Sequence, residues 1–398
     1  MIRFRGGMAA IVARKGLRSF PLDPLLTAAF FALVTLGLIM VASSSVAIAD
    51  RIHGDPLYYF WRQSTAVAIG LLLGYGVLRT PLKVWERLSV PLLALAAILL
   101  LLVLIPGIGR EVNGSMRWID LGPVNLQSSE PAKLCVIAYL AGYLVRQGDR
   151  VRNSFGGFIA PILVVTVLAG LLLLEPDYGG AVVMFATMLG MLFMGGVPLT
   201  RFFAWMFAAA AVLGSLALHS PYRMQRLTSF LDPWQDPFNS GFQLTQALIA
   251  FGRGEWLGVG LGTSVQKLFY LPEAHTDFVF AVLAEEFGLA GSALVILLYS
   301  FVIWRAFLIA NVAEQGGRLY AAYLAYGIGL IFGLQAFVNM GVNMGVLPTK
   351  GLTLPLMSYG SNSMVICCLA IALLIRVELE NRGARHRSLP EVGTSYVA

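Results

Sequence analysis

Asp277 closes the run Leu271-Pro272-Glu273-Ala274-His275-Thr276-Asp277-Phe278 and stands at the head of a long apolar stretch. A carboxyl there can cap the helix that begins, or it can act as a general acid or base. Residue type and spacing leave both roles open. Glu285 and Glu286 lie about 12–14 Å further on at 1.5 Å per helical residue, too far to share a proton with Asp277. The three carboxylates are therefore not a catalytic dyad, and the two glutamates need other partners, which the sequence does not name.

A second group with chemistry in it is Ser128-Ser129-Glu130-Pro131-Ala132-Lys133. A serine, an acid and a proline are the ordinary start of a helix. Lys133 is not, because a cation sits badly at a helix N-terminus. An (i, i+3) pair with Glu130 would offset that. A third group is cationic: Arg110, Arg117, Lys133, Arg223, Arg226, Arg253, Lys267 and Lys350. Such residues can snorkel to lipid phosphates or bind an anion such as a pyrophosphate, which arginine grips through paired hydrogen bonds. Trp118, Trp234, Trp256 and Tyr270 among them suit sugar stacking or an interfacial belt. Gly258-Val259-Gly260-Leu261-Gly262-Thr263-Ser264 has the look of a phosphate loop without its spacing or lysine. The four His residues are too scattered for a metal site, and the three Cys residues, two of them adjacent, read as small apolar packing residues.

These residues are carried by a chain that is 58% hydrophobic and only 12% charged over 398 residues, with mean hydropathy +0.77. A soluble domain carries about 25% charged residues, so the chain is read as a polytopic membrane protein. Apolar runs able to cross a hydrocarbon core fall at 22–46, 62–79, 87–107, 131–146, 158–174, 179–197, 202–219, 277–305, 319–343 and 361–379. The first is too long for the core of a signal peptide and is read as a retained helix. With the N-terminus placed in the cytoplasm, 18 of the 28 basic residues fall in cytoplasmic segments, and 14 of the 21 acidic ones fall outside. That is the positive-inside rule. The net charge of +7 is thus topology and not a nucleic-acid footprint. The expected architecture is all-α: a basic segment 1–21, a ten-helix domain 22–379 with an external loop 220–276, and a polar tail 380–398. The apolar stretch Gly241–Ala250 inside that loop is too short to span and would lie in the interface or re-enter. Gly-x-x-x-Gly pairs at Gly70/Gly74, Gly329/Gly333 and Gly341/Gly345 could bring helices close, but carry little weight in a chain with 42 glycines.

The same residues resemble a known family. Gly109-Arg110, Asn113 to Ile119, Ser129 to Lys133, Glu175-Pro176-Asp177-Tyr178-Gly179, Arg226-Leu227 with Phe230 to Pro233, and Gly241-Phe242-Gln243 follow in order. Then come Pro272 to Phe278, Glu285 to Gly288, Gly345 to Gly351 and Pro355 to Gly360. This set resembles the SEDS family (shape, elongation, division and sporulation), and Pro348-Thr349-Lys350-Gly351 is similar to its division branch. Ser358-Tyr359-Gly360-Ser361-Asn362-Ser363 departs from the family's usual Ser-Tyr-Gly-Gly-Ser-Ser. The resemblance implies a peptidoglycan glycosyltransferase that polymerises lipid II at the outer face of the bacterial inner membrane, at the division septum. It implies Asp277 as the catalytic base, with Arg110, Arg117, Glu130, Lys133, Arg226, Gln243, His275, Lys350 and Ser358 around the substrate. A divalent cation (Mg or Mn) would suit the pyrophosphate, and no ligand set in the sequence identifies it. The implied partners are a class B penicillin-binding protein transpeptidase, other divisome membrane proteins and membrane lipid. The alternatives are a lipid II flippase and a scaffold without activity.

Overall fold

The computed structural model describes residues 22–112, 115–120, 125–218, 230–348 and 351–388. Each of the ten apolar runs falls on a helix. The first six give α1 (Pro24–His53), α2 (Tyr58–Arg79), α4 (Ser89–Val103) after a short α3 (Leu82–Arg87), α5 (Ser129–Asn153), α6 (Phe155–Leu174) and α7 (Tyr178–Met194). The last four give α8 (Leu199–Leu218), α10 (Val279–Gln315), α11 (Leu319–Asn343) and α12 (Ser361–Ser388). Between α8 and α10 the short apolar stretch of the long loop forms α9 (Phe242–Gly254), packed on α10. Among the described residues α1, α6, α10, α11 and α12 are long and apolar enough to cross a membrane. Local signals start and stop them: Asp23 accepts from the Leu25 and Leu26 amides at 3.1 and 3.3 Å, Pro24 follows, and Gly54 ends α1 at φ 67°.

α11 is the centre of the bundle, buried along most of its length against α5, α7, α10 and α12. The Gly-x-x-x-Gly pairs matter more here than their frequency suggested. A Cβ on Gly70 would stand 2.9 Å from Cys368 Sγ, so α2 lies against α12 at that point. A Cβ on Gly329 would meet Ala306 and Phe307 of α10 at 3.0–3.1 Å. The cysteines are buried, free and used for packing.

The all-helical expectation fails at 109–127. There the chain forms a three-stranded antiparallel sheet of β1 (Gly109–Val112), β2 (Ser115–Asp120) and β3 (Asn125–Gln127), with Arg110 opposite Trp118 and Trp118 opposite Gln127. The sequence between β1 and β2 is Asn113-Gly114, a dipeptide that favours tight hairpins; both residues lie outside the described residues.

The glycine-rich loop after α9 is not a phosphate loop. α10 is broken at Gly288 (φ 65°, ψ −160°), and the loop is spliced into the break. In an unbroken helix the Leu289 and Ala290 amides would donate to the carbonyls of Glu285 and Glu286. Instead they donate to Glu255 O and Trp256 O at 2.9 and 3.0 Å, while Val259 N and Gly260 N donate to Glu285 O and Glu286 O, each at 3.0 Å. No backbone group of that exchange is left unpaired, as a buried break demands. Only glycines permit it: a Cβ on Gly258 would lie 2.2 Å from Glu286 O, and one on Gly288 would lie 2.4 Å from Gly258 N.

Candidate active site

The splice answers what Glu285 and Glu286 pair with. Glu285 is fully buried, bonds Arg253 Nη1 at 3.0 Å, and accepts from the Ser264 hydroxyl and from the Val265 and Gln266 amides. Glu286 accepts from Lys267 Nζ at 2.7 Å and from Ser43 Oγ of α1 at 2.7 Å. Both glutamates therefore fasten the loop that leads to the 271–278 segment. Arg253 and Lys267 thereby leave the set of cations free to meet an anion.

The 271–278 segment is folded on itself and held from three sides. Leu271 N donates to Gln266 O at 2.8 Å, and the Thr276 and Phe278 amides donate to Glu273 O at 3.2 Å. His275 is buried, its ring 4.8 Å from Tyr59 and 5.6 Å from Tyr359, and its carbonyl accepts from Tyr359 N at 2.9 Å. Burial lowers the His275 pKa, so the ring is a neutral packing and anchoring group for the segment. Ser358, expected at the substrate, is buried in a turn, where its Oγ accepts from Leu354 N at 2.8 Å.

Three amides on one face of α11 bind the backbone around this segment: Asn339 and Asn343 hold Asp277 O, and Gln335 holds Thr353 O. Asn339 Nδ2 donates to Asp277 O at 2.9 Å and to Leu352 O at 2.5 Å. Asn343 Nδ2 donates to the same Asp277 O at 2.9 Å, and its Oδ1 accepts from Ala281 N in the first turn of α10 at 3.0 Å. Gln335 links Thr353 O to Lys133 at 3.1 and 3.3 Å. Sequence reading passed over all three amides, although polar groups repeating every fourth residue in an apolar helix were the available signal.

Asp277 precedes α10, whose first residue is Val279 and whose N-cap position, Phe278, makes no side-chain cap. The capping role open to Asp277 is not used. Among the described residues its carboxyl makes no hydrogen bond or ion pair. It is half-buried, and a Cβ on Gly351 would sit 3.0 Å from its Oδ2. Burial raises its pKa to about 7, the negative charges of Glu273 and Asp177 push the same way, and Arg117 opposes them.

The other expected residues divide. Glu130 and Lys133 form the anticipated pair at 2.9 Å, both buried, with Gln335 as the third partner of the ammonium. In this arrangement Lys133 is spent on protein groups and supports the site from within. Arg117 reaches the turn between α6 and α7, donating to Glu175 O at 3.3 Å and Pro176 O at 2.5 Å. Arg110 is exposed and 3.5 Å from Asp120 across the small sheet. Gln243 lies in the first turn of α9, and none of the bonds above involves it. Arg226 and Lys350 lie outside the described residues. Asn362, in the divergent motif, ties α12 to the sheet through Asn125 O at 2.6 Å.

One acid went unassigned in the sequence. Glu175 is wholly buried in the α6–α7 turn, its Oε2 accepting from Ser128 Oγ at 2.9 Å and its Oε1 without a partner among the described residues. Burial pushes its pKa up to about 8. Asp177 caps α7 through Gly180 N at 2.9 Å. Among the described residues no three His, Cys, Asp or Glu side chains are grouped to hold a metal ion.

The sequence profile of the FtsW/RodA/SpoVE cell cycle protein family matches residues 24–383. A protein of Nitrosococcus halophilus described as a probable peptidoglycan glycosyltransferase FtsW is 60% identical over 360 residues, 90% of this chain and 93% of that one. One of the same description from Thioalkalivibrio sulfidiphilus is 58% identical, over 90% of each chain. Among solved structures, one reported under "Structural coordination of polymerization and crosslinking by a peptidoglycan synthase complex" is 31% identical, with TM-score 0.75 over 90% of this chain and 98% of that one. The rod shape determining protein RodA of Thermus thermophilus is 29% identical, with TM-score 0.66 over 94% and 99%.

Proposed function

The chain belongs to the FtsW/RodA/SpoVE family of cell cycle proteins, and from that premise we infer that it is a multi-pass membrane peptidoglycan glycosyltransferase that polymerises lipid II with Asp277 as general base. The observation that carries the base assignment is the half-buried Asp277 carboxyl, unpartnered among the described residues, at the junction of α10, α11 and the 351–353 segment. The GlcNAc 4-hydroxyl of one lipid-linked chain attacks the anomeric carbon of the other, and its proton passes to the Asp277 carboxylate. The bond from that carbon to the bridging oxygen breaks, and the electron pair leaves on undecaprenyl pyrophosphate. A base with a pKa of about 7 is matched to this work at neutral pH. Lys350, beside Gly351, and Arg226 of the long loop supply positive charge for the leaving group.

In this reading the chain crosses the membrane ten times, with both termini cytoplasmic and loop 220–276 outside, so that this end of the bundle lies at the outer face of the inner membrane; the excess of basic residues in the segments assigned to the cytoplasm supports it. The septum is its site of action and a class B penicillin-binding protein its partner, with other divisome membrane proteins around them. Purified full-length protein supplied with lipid II, alone and with such a transpeptidase, is expected to form glycan chains, and to form none when Asp277 is Asn. Movement of lipid II across a bilayer without chain formation would replace this reading with a flippase. Cysteine labelling from the periplasmic side should reach a residue beside Asp236 and miss one beside Arg150. The reverse pattern would put the site on the wrong side of the membrane.

A further inference from the structure

The first turn of an α-helix presents amides with no partner inside the helix and a partial positive charge. An aspartate at that position is the natural acceptor, ranking with asparagine among the best caps. Asp277 stands within two residues of the start of α10, yet its carboxyl makes no such bond, and the Ala281 amide is instead met by Asn343 Oδ1 from α11 at 3.0 Å, besides Phe278 O at 3.0 Å. The amide nitrogen of the same Asn343 and that of Asn339 both donate to Asp277 O at 2.9 Å, occupying the two lone pairs of that carbonyl. One side chain thus supplies the cap that Asp277 would otherwise make, and it also fixes the backbone that aims the Asp277 carboxyl away from the helix. Gln335, one turn before Asn339, continues the row to Thr353 and Lys133.

We infer that Asn343, supported by Asn339, is a positioning residue for the glycosyl transfer: it caps α10 in trans so that the Asp277 carboxyl stays free for the acceptor hydroxyl. The inference rests on the reading of Asp277 as the base. The groups facing Asp277 are Glu273 and His275 on its own segment, Arg117 from β2, Asp177 from the start of α7, the two amides of α11, and Gly351 next to Lys350. None of them except Asn343 binds the first turn of α10 among the described residues.

Removing Asn343 leaves the Ala281 amide with the Phe278 carbonyl alone and lets the Asp277 carboxylate turn onto the first turn of α10. That captured form is inactive, and it exists only when the group is ionised. Activity then falls at high pH by the capture factor, while the acid limb of the pH–rate profile moves to lower pH by the logarithm of the same factor. A cap together with the helix dipole supports a capture factor of about tenfold. Full-length Asn343→Ala is therefore expected to lose about tenfold in kcat at the alkaline plateau with KM little changed. Its acid limb should lie about one unit lower than wild type, so the two profiles merge at low pH. Asn343→Asp keeps an acceptor for Ala281 and adds a negative charge beside Asp277, so its acid limb should lie at or above the wild-type position. Melting in detergent identifies any variant that has failed to fold. Should Asn343→Ala fail to fold, Asn343→Asp decides alone, and an acid limb below wild type overturns the inference. A parallel drop of the Asn343→Ala profile at every pH, or no drop, also overturns it while Asp277→Asn remains inactive. If Asp277→Asn polymerises lipid II like wild type, the base reading itself fails, and this inference falls with it.

Discussion

Replacing Asp277 by Asn should make the protein more stable and, in the same molecule, inactive. The side chain keeps its volume, and the cap it could make is already supplied by Asn343, so no structural bond is lost. What changes is a charge. The Asp277 carboxyl moves from an ordinary value of 3.8 to about 7, first through burial and then through Glu273 and Asp177. A shift of this size, at about 1.36 kcal/mol per unit, makes ionisation in the folded state unfavourable by up to about 4 kcal/mol. Because the side chain is partly open to solvent, screening brings the working figure to about 2 kcal/mol. The folded value lies above the unfolded one, so the penalty is absent below about pH 4, where the carboxyl is protonated in both states. It grows between pH 4 and 7 and is constant above that. Unfolding in mixed detergent at pH 3 and pH 8 measures it: Asp277→Asn should match wild type in acid and exceed it by about 2 kcal/mol in base. Polymerisation of lipid II at pH 8 should fall by about 10²–10⁴-fold. An Asn variant less stable than wild type at pH 8 would mean that the carboxylate makes a bond the fold depends on. That would refute the reasoning here.

Other perturbations test the surroundings. Lys267→Met or Glu286→Gln alone breaks a buried pair at 2.7 Å and should cost about 3–5 kcal/mol in an unfolding assay, with much of that regained in the double variant. Gly258→Ala places a Cβ 2.2 Å from Glu286 O at φ 81°, whereas Gly262→Ala meets open space at φ 83°. The first should abolish folded protein on size exclusion, and the second should lower stability by about 1–3 kcal/mol from backbone strain alone. Arg117 holds the Asp277 pKa down, so Arg117→Ala should move the acid limb of kcat/KM to higher pH and lose more activity at pH 6.5 than at pH 8.

What could be read from the sequence was what chain neighbours decide. The ten apolar runs are a property of consecutive residues, and so are the Asp23-Pro24 helix start and the Glu130–Lys133 pair three residues apart. Asp277 was visible as an acid at a helix start, but whether it caps that helix could not be read, because Asn343, which meets the Ala281 amide instead, is sixty-six positions away. Lys267 and Arg253 counted as free cations for the same reason: their partners lie nineteen and thirty-two residues on, beyond the loop after α9. The sheet at 109–127 was missed although Asn113-Gly114 and the alternating β2 residues carry its signal, since an apolar chain draws attention to helices. The Gly258–Gly262 loop lacked the spacing of a phosphate loop, and its glycines answer to a backbone splice that no local pattern describes.

These long-range contacts share one physical requirement. A carboxyl that must accept a proton from substrate has to be withheld from every nearer donor, and the start of a membrane helix is where unpaired donors are most concentrated. The fold meets that requirement by satisfying the donors from other elements. Asn343 reaches the first turn of α10 from α11, and the loop after α9 takes up the amides and carbonyls exposed at Gly288. Glu285 and Glu286 then bind the loop with ion pairs rather than with groups of the 271–278 segment. Arg117 is occupied by the carbonyls of the α6–α7 turn, close enough to moderate Asp277 and, among the described residues, not bonded to it. Among the described residues the Asp277 carboxyl is left free because Asn343 meets the Ala281 amide and the α6–α7 turn occupies Arg117.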